Sequence, residues 1–212
     1  SPPSSTSSGG TARSVDSPQH IGIFGGTFDP VHEAHLRIAR AARDQAGLDR
    51  VLFVVSGTPP HKRDEVAAGP EDRYAMVEAA IAGERGFEAS RVEIDRTGPS
   101  YTADTLRTLR KDHPGARMSL ILGYDAALDL PKWREPQAIL SQADLLVVAR
   151  PDWRSHPLPP ALAGKCRMLE FEETTLSSTG VRDLLASGGC TDGLLPPRVL
   201  GVIRQKGLYG CR

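Results

Sequence analysis

The alternation of short apolar runs with longer amphipathic stretches constrains this chain more than any other feature. Ile21 to Phe24, Val51 to Val55, Val92 to Ile94, Met118 to Leu122 and Asp144 to Val148 read as strands, and Glu33 to Ala46, Glu71 to Ala82 and Thr102 to Lys111 as helices between them. Strands joined through helices of about 10 to 15 residues pair in parallel by right-handed crossovers, which gives an open, doubly wound α/β sheet covered on both faces. Ligands of such sheets bind beyond the carboxyl ends of the strands, where the strand order reverses.

The 212 residues give room for one substantial core. Residues 1–19 are serine- and proline-rich with almost nothing apolar, and read as a disordered tail, a transit peptide being the sharper alternative. Residues 20–150 form the α/β core. Residues 151–212 form a small helical C-terminal portion of the same domain, with a proline-rich link from Pro151 to Pro160, a short strand from Arg167 to Glu170, and helices from Ser178 to Ala186 and Pro197 to Gln205.

Lysine plus arginine equals aspartate plus glutamate at 26 each, so no overall positive field exists to hold a nucleic-acid backbone, and any phosphate must be gripped locally. The three cysteines lack metal-ligand spacing and do not resemble a disulfide framework. No apolar run approaches the roughly 20 residues that cross a bilayer, and the basic-then-apolar pattern of a secretory signal is absent from the first residues. A cytoplasmic protein without membrane partners is expected; self-association stays open.

The strongest motif is Gly25-Gly26-Thr27-Phe28-Asp29-Pro30-Val31-His32-Glu33-Ala34-His35, placed between the first strand and the first helix. Glycines let the backbone approach a phosphate, and the helix start adds unpaired N–H groups and a partial positive charge. His32 and His35, three residues apart, share one helical face. A zinc site would need further ligands, and none of suitable spacing stands nearby. A second cluster, Gly57-Thr58-Pro59-Pro60-His61-Lys62, presents Lys62 beyond strand two, as a phosphate ligand or an ordinary solvated lysine. The third, Ser177-Ser178-Thr179-Gly180-Val181-Arg182, offers hydroxyls, a capped helix start and an arginine, which is either a plain helix cap or a second phosphate site. Arg73 and Asp104 either belong to the site or sit on solvated helix faces.

Together with Ser100-Tyr-Thr-Ala-Asp-Thr-Leu106, Leu122-Gly-Tyr-Asp125 and Trp133, these segments resemble the bacterial nicotinate-nucleotide adenylyltransferases, of the nucleotidylyltransferase superfamily, from Ile21 to Tyr209. The resemblance implies a Rossmann-like fold in which residues 20–150 bind nucleotide. It implies transfer of AMP from ATP to nicotinate mononucleotide, with Mg2+ accompanying ATP and no metal held by protein side chains. It also implies His32, His35, Lys62 and Arg182 as catalytic residues. Gly25, Gly26, Thr27, Phe28, Gly123, Asp125, Ser177, Ser178 and Thr179 would hold ATP, and Tyr101, Thr102 and Trp133 the pyridine nucleotide. Ala34 stands where the family usually has glycine, so its methyl crowds the approach to the helix start. Two other readings share the ATP half of the site: transfer to another phosphorylated acceptor such as phosphopantetheine, and a nucleotide sensor without turnover.

Overall fold

The computed structural model describes residues 18–58, 66–148, 157–162, 164–172 and 175–211. Six strands form one sheet: β1 (His20–Gly26), β2 (Arg50–Val55), β3 (Phe87–Ser90), β4 (Arg117–Gly123), β5 (Asp144–Val148) and β6 (Cys166–Leu169). They lie in the order β3-β2-β1-β4-β5-β6, and every pairing is parallel. The order reverses between β1 and β4, so the carboxyl ends of these two central strands open a crevice.

Period-two alternation sends apolar side chains to both faces of the sheet. Ile21, Ile23, Leu52, Val54, Leu120 and Val147 pack beneath α3 (Thr102–Asp112), α4 (Tyr124–Asp129) and α5 (Pro136–Gln142). Phe24, Val51, Phe53, Val55 and Leu146 pack beneath α1 (Glu33–Ala46), α2 (Pro70–Ile81), α6 (Ser178–Ala186) and α7 (Pro197–Lys206). With both faces covered, the central strands carry near-continuous apolar runs, the mark of a buried parallel sheet. This is the doubly wound, Rossmann-like α/β fold with helices in its C-terminal part.

Helix α1, strand β5 and helix α6 run over the residues that periodicity predicts. The third strand does not. Val92 to Ile94 lies in a turn closed by Asp95 N–H donating to the Arg91 carbonyl at 2.9 Å, and β3 begins five residues earlier, with Phe87 opposite Val51. An edge strand has one neighbour and needs one anchor, and here Phe87 provides it, its ring 5.4 Å from Phe53. The segment around Trp133, without assigned structure from sequence, holds α4, a 3-10 turn over Leu130–Lys132, and α5.

Phe53 is wholly buried, with its ring 5.5 Å from Phe24, 5.8 Å from Phe28 and 5.4 Å from Phe87. Phe53→Ala should therefore destabilise the protein by about 3–5 kcal/mol in urea unfolding. A loss under about 1 kcal/mol would show that this aromatic cluster does not carry the core.

Candidate active site

Strand β1 delivers Gly25 and Gly26 to the mouth of the sheet, each for a separate steric reason. A Cβ on Gly26 would stand 2.8 Å from the Phe28 ring, so only glycine lets that ring fold back. A Cβ on Gly25 would meet nothing within 4 Å; its α-carbon borders open space. Phe28 takes φ 53°, and its ring packs edge-on against Phe24 at 5.6 Å and His35 at 5.1 Å.

The loop after β1 is fastened from below by Arg73, a residue of α2 that is only 1% exposed. Its Nη1 donates to the Thr27 carbonyl at 2.7 Å and to Ser56 Oγ at 3.4 Å, its Nη2 to the Gly57 carbonyl at 3.2 Å, and its Nε to the Ala68 carbonyl at 3.1 Å. Burial lowers the pKa of this guanidinium, and the charge of Asp29 opposes that shift. Asp29 is itself buried, accepting from the backbone N–H of Ala67 (2.7 Å) and Ala68 (3.1 Å) and from the Tyr209 hydroxyl (2.7 Å). Arg73 thus lies beneath the site, not in it. Asp104 lies on the outer side of α3 in an ion pair with Arg107.

His32 is the N-cap of α1 and His35 sits in its first turn. The rings lie with centroids 3.8 Å apart and planes inclined by 32°, side by side on the crevice. The His32 backbone N–H donates to His35 Nδ1 at 3.2 Å, which leaves Nε2 of a neutral His35 as its N–H donor. Nδ1 of His32 is buried and has no hydrogen-bond partner among the described residues. Burial lowers the His32 pKa to about 4 and that of His35 well below 6.5, with His32 adding to the second shift. Both rings are therefore neutral near pH 7.

A cleft of about 650 Å³ opens over this helix start. Gly26, Thr27, Phe28, His32, His35, Gly123, Asp125, Ser177, Ser178, Thr179 and Arg182 all border it, as does the methyl of Ala34. The C-terminal cluster reaches it because Ser178 Oγ donates to the Pro30 carbonyl at 3.0 Å, tying α6 to the loop before α1. Ser177 caps α6 by accepting from the Gly180 N–H at 3.2 Å. Arg182 Nη1 donates to the Asp29 carbonyl at 2.8 Å, which aims the guanidinium along the cleft wall. Lys62 lies outside the described residues. Among the described residues, no three His, Cys, Asp or Glu side chains gather as metal ligands, and no helix is long and apolar enough to cross a membrane.

A second cavity of about 280 Å³ adjoins the first and shares Gly26 and Thr27 with it. Gly25, Thr102 and Trp133 line it, together with Ser56, Ser100 and Glu93. The Glu93 carboxyl, raised in pKa by burial, accepts from Thr105 Oγ1 at 2.6 Å. Sequence reasoning missed Glu93 because the residue fell inside the misplaced third strand. Tyr101 lines neither cavity: as N-cap of α3 it turns its ring under the Arg134 guanidinium, 4.5 Å away.

A helix start flanked by uncharged donors at the reversal of a parallel sheet suits phosphate chemistry, and the class is that of the nucleotidyltransferases: the cytidylyltransferase-like family model matches residues 23–184. The "Probable nicotinate-nucleotide adenylyltransferase" of Gloeobacter violaceus is 42% identical over 198 residues, covering 90% of this chain and 96% of that protein. The protein of the same name from Rubrobacter xylanophilus is 39% identical over 195 residues, covering 89% and 91%. The chain belongs to the nicotinate-nucleotide adenylyltransferase family of enzymes. The fold is shared with a solved structure, Plasmodium falciparum nicotinic acid mononucleotide adenylyltransferase complexed with NaAD, at TM-score 0.73 and 18% identity over 92% of this chain and 98% of that one.

The histidine shifts fix a pH dependence. Between pH 6.5 and about 4 the unfolded chain takes up a proton at His32 that the folded protein excludes, so the folded state loses stability as pH falls through that window, by on the order of 3 kcal/mol for this ring. NMR titration of the ligand-free protein should place the His32 midpoint near 4. A midpoint near the ordinary histidine value would contradict the burial of the pair.

Proposed function

We propose that this enzyme transfers the AMP part of ATP to nicotinate mononucleotide, releasing pyrophosphate and forming nicotinate adenine dinucleotide, a step of NAD biosynthesis. The observation that carries the reading is the pair of joined cavities. The larger is lined by two imidazoles and an arginine at a helix start, the smaller by an indole and apolar strand residues, and they meet at Gly26 and Thr27. A triphosphate nucleotide suits the first and a flat aromatic ring the second. The names of the relatives support the same substrates.

An oxygen of the acceptor phosphate attacks the α-phosphorus of ATP. The bond from that phosphorus to the bridging oxygen breaks, and its electron pair leaves with pyrophosphate. The attacking oxygen is already ionised at neutral pH, so catalysis consists of positioning and charge stabilisation. His32 and His35, neutral in the free protein, act as ring donors to phosphate oxygens at the start of α1. Arg182 neutralises charge building toward the leaving group, with Ser177, Ser178 and Thr179 beside it. Lys62 holds the corresponding role on the family pattern. Mg2+ brought with ATP as part of the substrate would screen its phosphates. Phe28 backs the His35 ring, and Gly123 and Asp125 lie on the adenosine side.

Trp133 stacks on the pyridine ring, and Thr102 at the start of α3 faces the same cavity. The partial positive charge of that helix end favours the acid over the amide. Burial holds Glu93 toward its neutral form, so it opposes the ring carboxylate less.

Incubation with ATP, magnesium and either nicotinate or nicotinamide mononucleotide should yield the dinucleotide of the acid preferentially. No dinucleotide from either would refute the reaction. His35→Ala should lower kcat by about 100-fold or more with an unchanged circular dichroism spectrum, and a near-normal rate would remove His35 from the mechanism. Trp133→Ala should raise KM for nicotinate mononucleotide by about 10-fold while leaving KM for ATP alone; an unmoved acceptor KM would reject the stacking role.

A further inference from the structure

Trp133 is half-buried at the end of the 3-10 turn, its backbone N–H donating to the Leu130 carbonyl at 3.0 Å. Without another fastening, the indole would hang from a short irregular segment between α4 and α5. The two residues that follow it both reach across to α3, which forms the facing wall of the acceptor cavity. The Arg134 guanidinium lies over the Tyr101 ring, 4.5 Å from its centroid. Glu135, the N-cap of α5 at φ 54°, forms an ion pair with Arg107, and Arg107 is held in turn by Asp104 at 2.7 Å. Thr102, next to Tyr101, lines the cavity from the α3 side as Trp133 does from the other.

We infer that Arg134 and Glu135 are positioning residues that hold the Trp133 indole over the acceptor cavity by gripping Tyr101 and Arg107 on the opposite wall. The inference deepens the reaction proposed above and rests on it for the identity of the acceptor. It also gives Tyr101 a role: its ring is the platform for Arg134. Both contacts are largely solvent-exposed and individually weak, so their loss frees a local segment and leaves the core intact. The effect should appear in acceptor KM, with kcat, KM for ATP and the unfolding transition nearly unchanged.

The chain has two tryptophans, so a Trp153→Phe background isolates Trp133 emission. In that background Glu135→Gln and Arg107→Gln should each increase acrylamide quenching of Trp133 and raise KM for nicotinate mononucleotide roughly threefold. The double variant should be clearly less than additive, because both single variants already lose the contact between Arg107 and Glu135. Adding Arg134→Ala to Glu135→Gln should bring the KM increase to about tenfold. Unchanged quenching in the single variants, or additive effects in the double variant, would overturn the grip. Altered quenching with an unmoved acceptor KM would overturn its role in binding. The quenching cycle needs no turnover, so a protein inert toward nicotinate mononucleotide would sink the proposed reaction separately.

Discussion

The Arg73 guanidinium, buried beneath the mouth of the sheet, donates to the carbonyl oxygens of Thr27, Gly57 and Ala68, and the shape of the crevice depends on that set of bonds. Those carbonyls belong to three separate stretches of chain: the loops leaving β1 and β2 and the residues that lead into α2. Loops at strand ends have no ladder to satisfy their backbone groups, and a planar cation with five donors can serve several of them at once. A buried cation is costly alone, and Asp29 offsets that cost. Because Asp29 also accepts from Tyr209 and its carbonyl from Arg182, the same network ties the last residues and α6 to the loop that opens α1.

The proposed phosphate recognition needs no excess of positive charge on the chain as a whole. The chain is electrically balanced, 26 cations against 26 anions. In the proposed reaction the crevice instead offers the dipole of α1, two neutral imidazoles and one arginine. Neutral histidines suit such a crevice, because burial that excludes a proton also strengthens each hydrogen bond to a bound anion. The neighbouring cavity is apolar on the strand side and lined by an indole, so the two halves of the site differ as the two proposed substrates differ.

Much of this was legible from the residues. The spacing of His32 and His35 on a helix that follows a glycine pair predicted their shared face, since helical geometry is local. Ser177, Ser178, Thr179 and Arg182 read as a capped helix start, and α6 begins there. Tyr101 and Thr102 were indistinguishable as neighbours in one motif, yet one turns to Arg134 and the other lines the cavity. Nothing local separates two side chains at a helix cap; a partner far along the chain, Arg134, does. The edge strand escaped for a related reason, because Phe87 is apolar mainly toward Phe53, a contact between strands.

The sequence by itself determined the alternation of strands and helices, hence a parallel doubly wound sheet, and the start of α1 after a glycine pair, because periodicity, glycine freedom and helix polarity act within a few residues. The tertiary structure alone decided the strand order, the descent of α6 onto Pro30, the burial of Arg73 and Glu93, and the suppressed protonation of both histidines. Each of those depends on which distant surfaces exclude water from a group, and desolvation is a property of the packed chain as a whole.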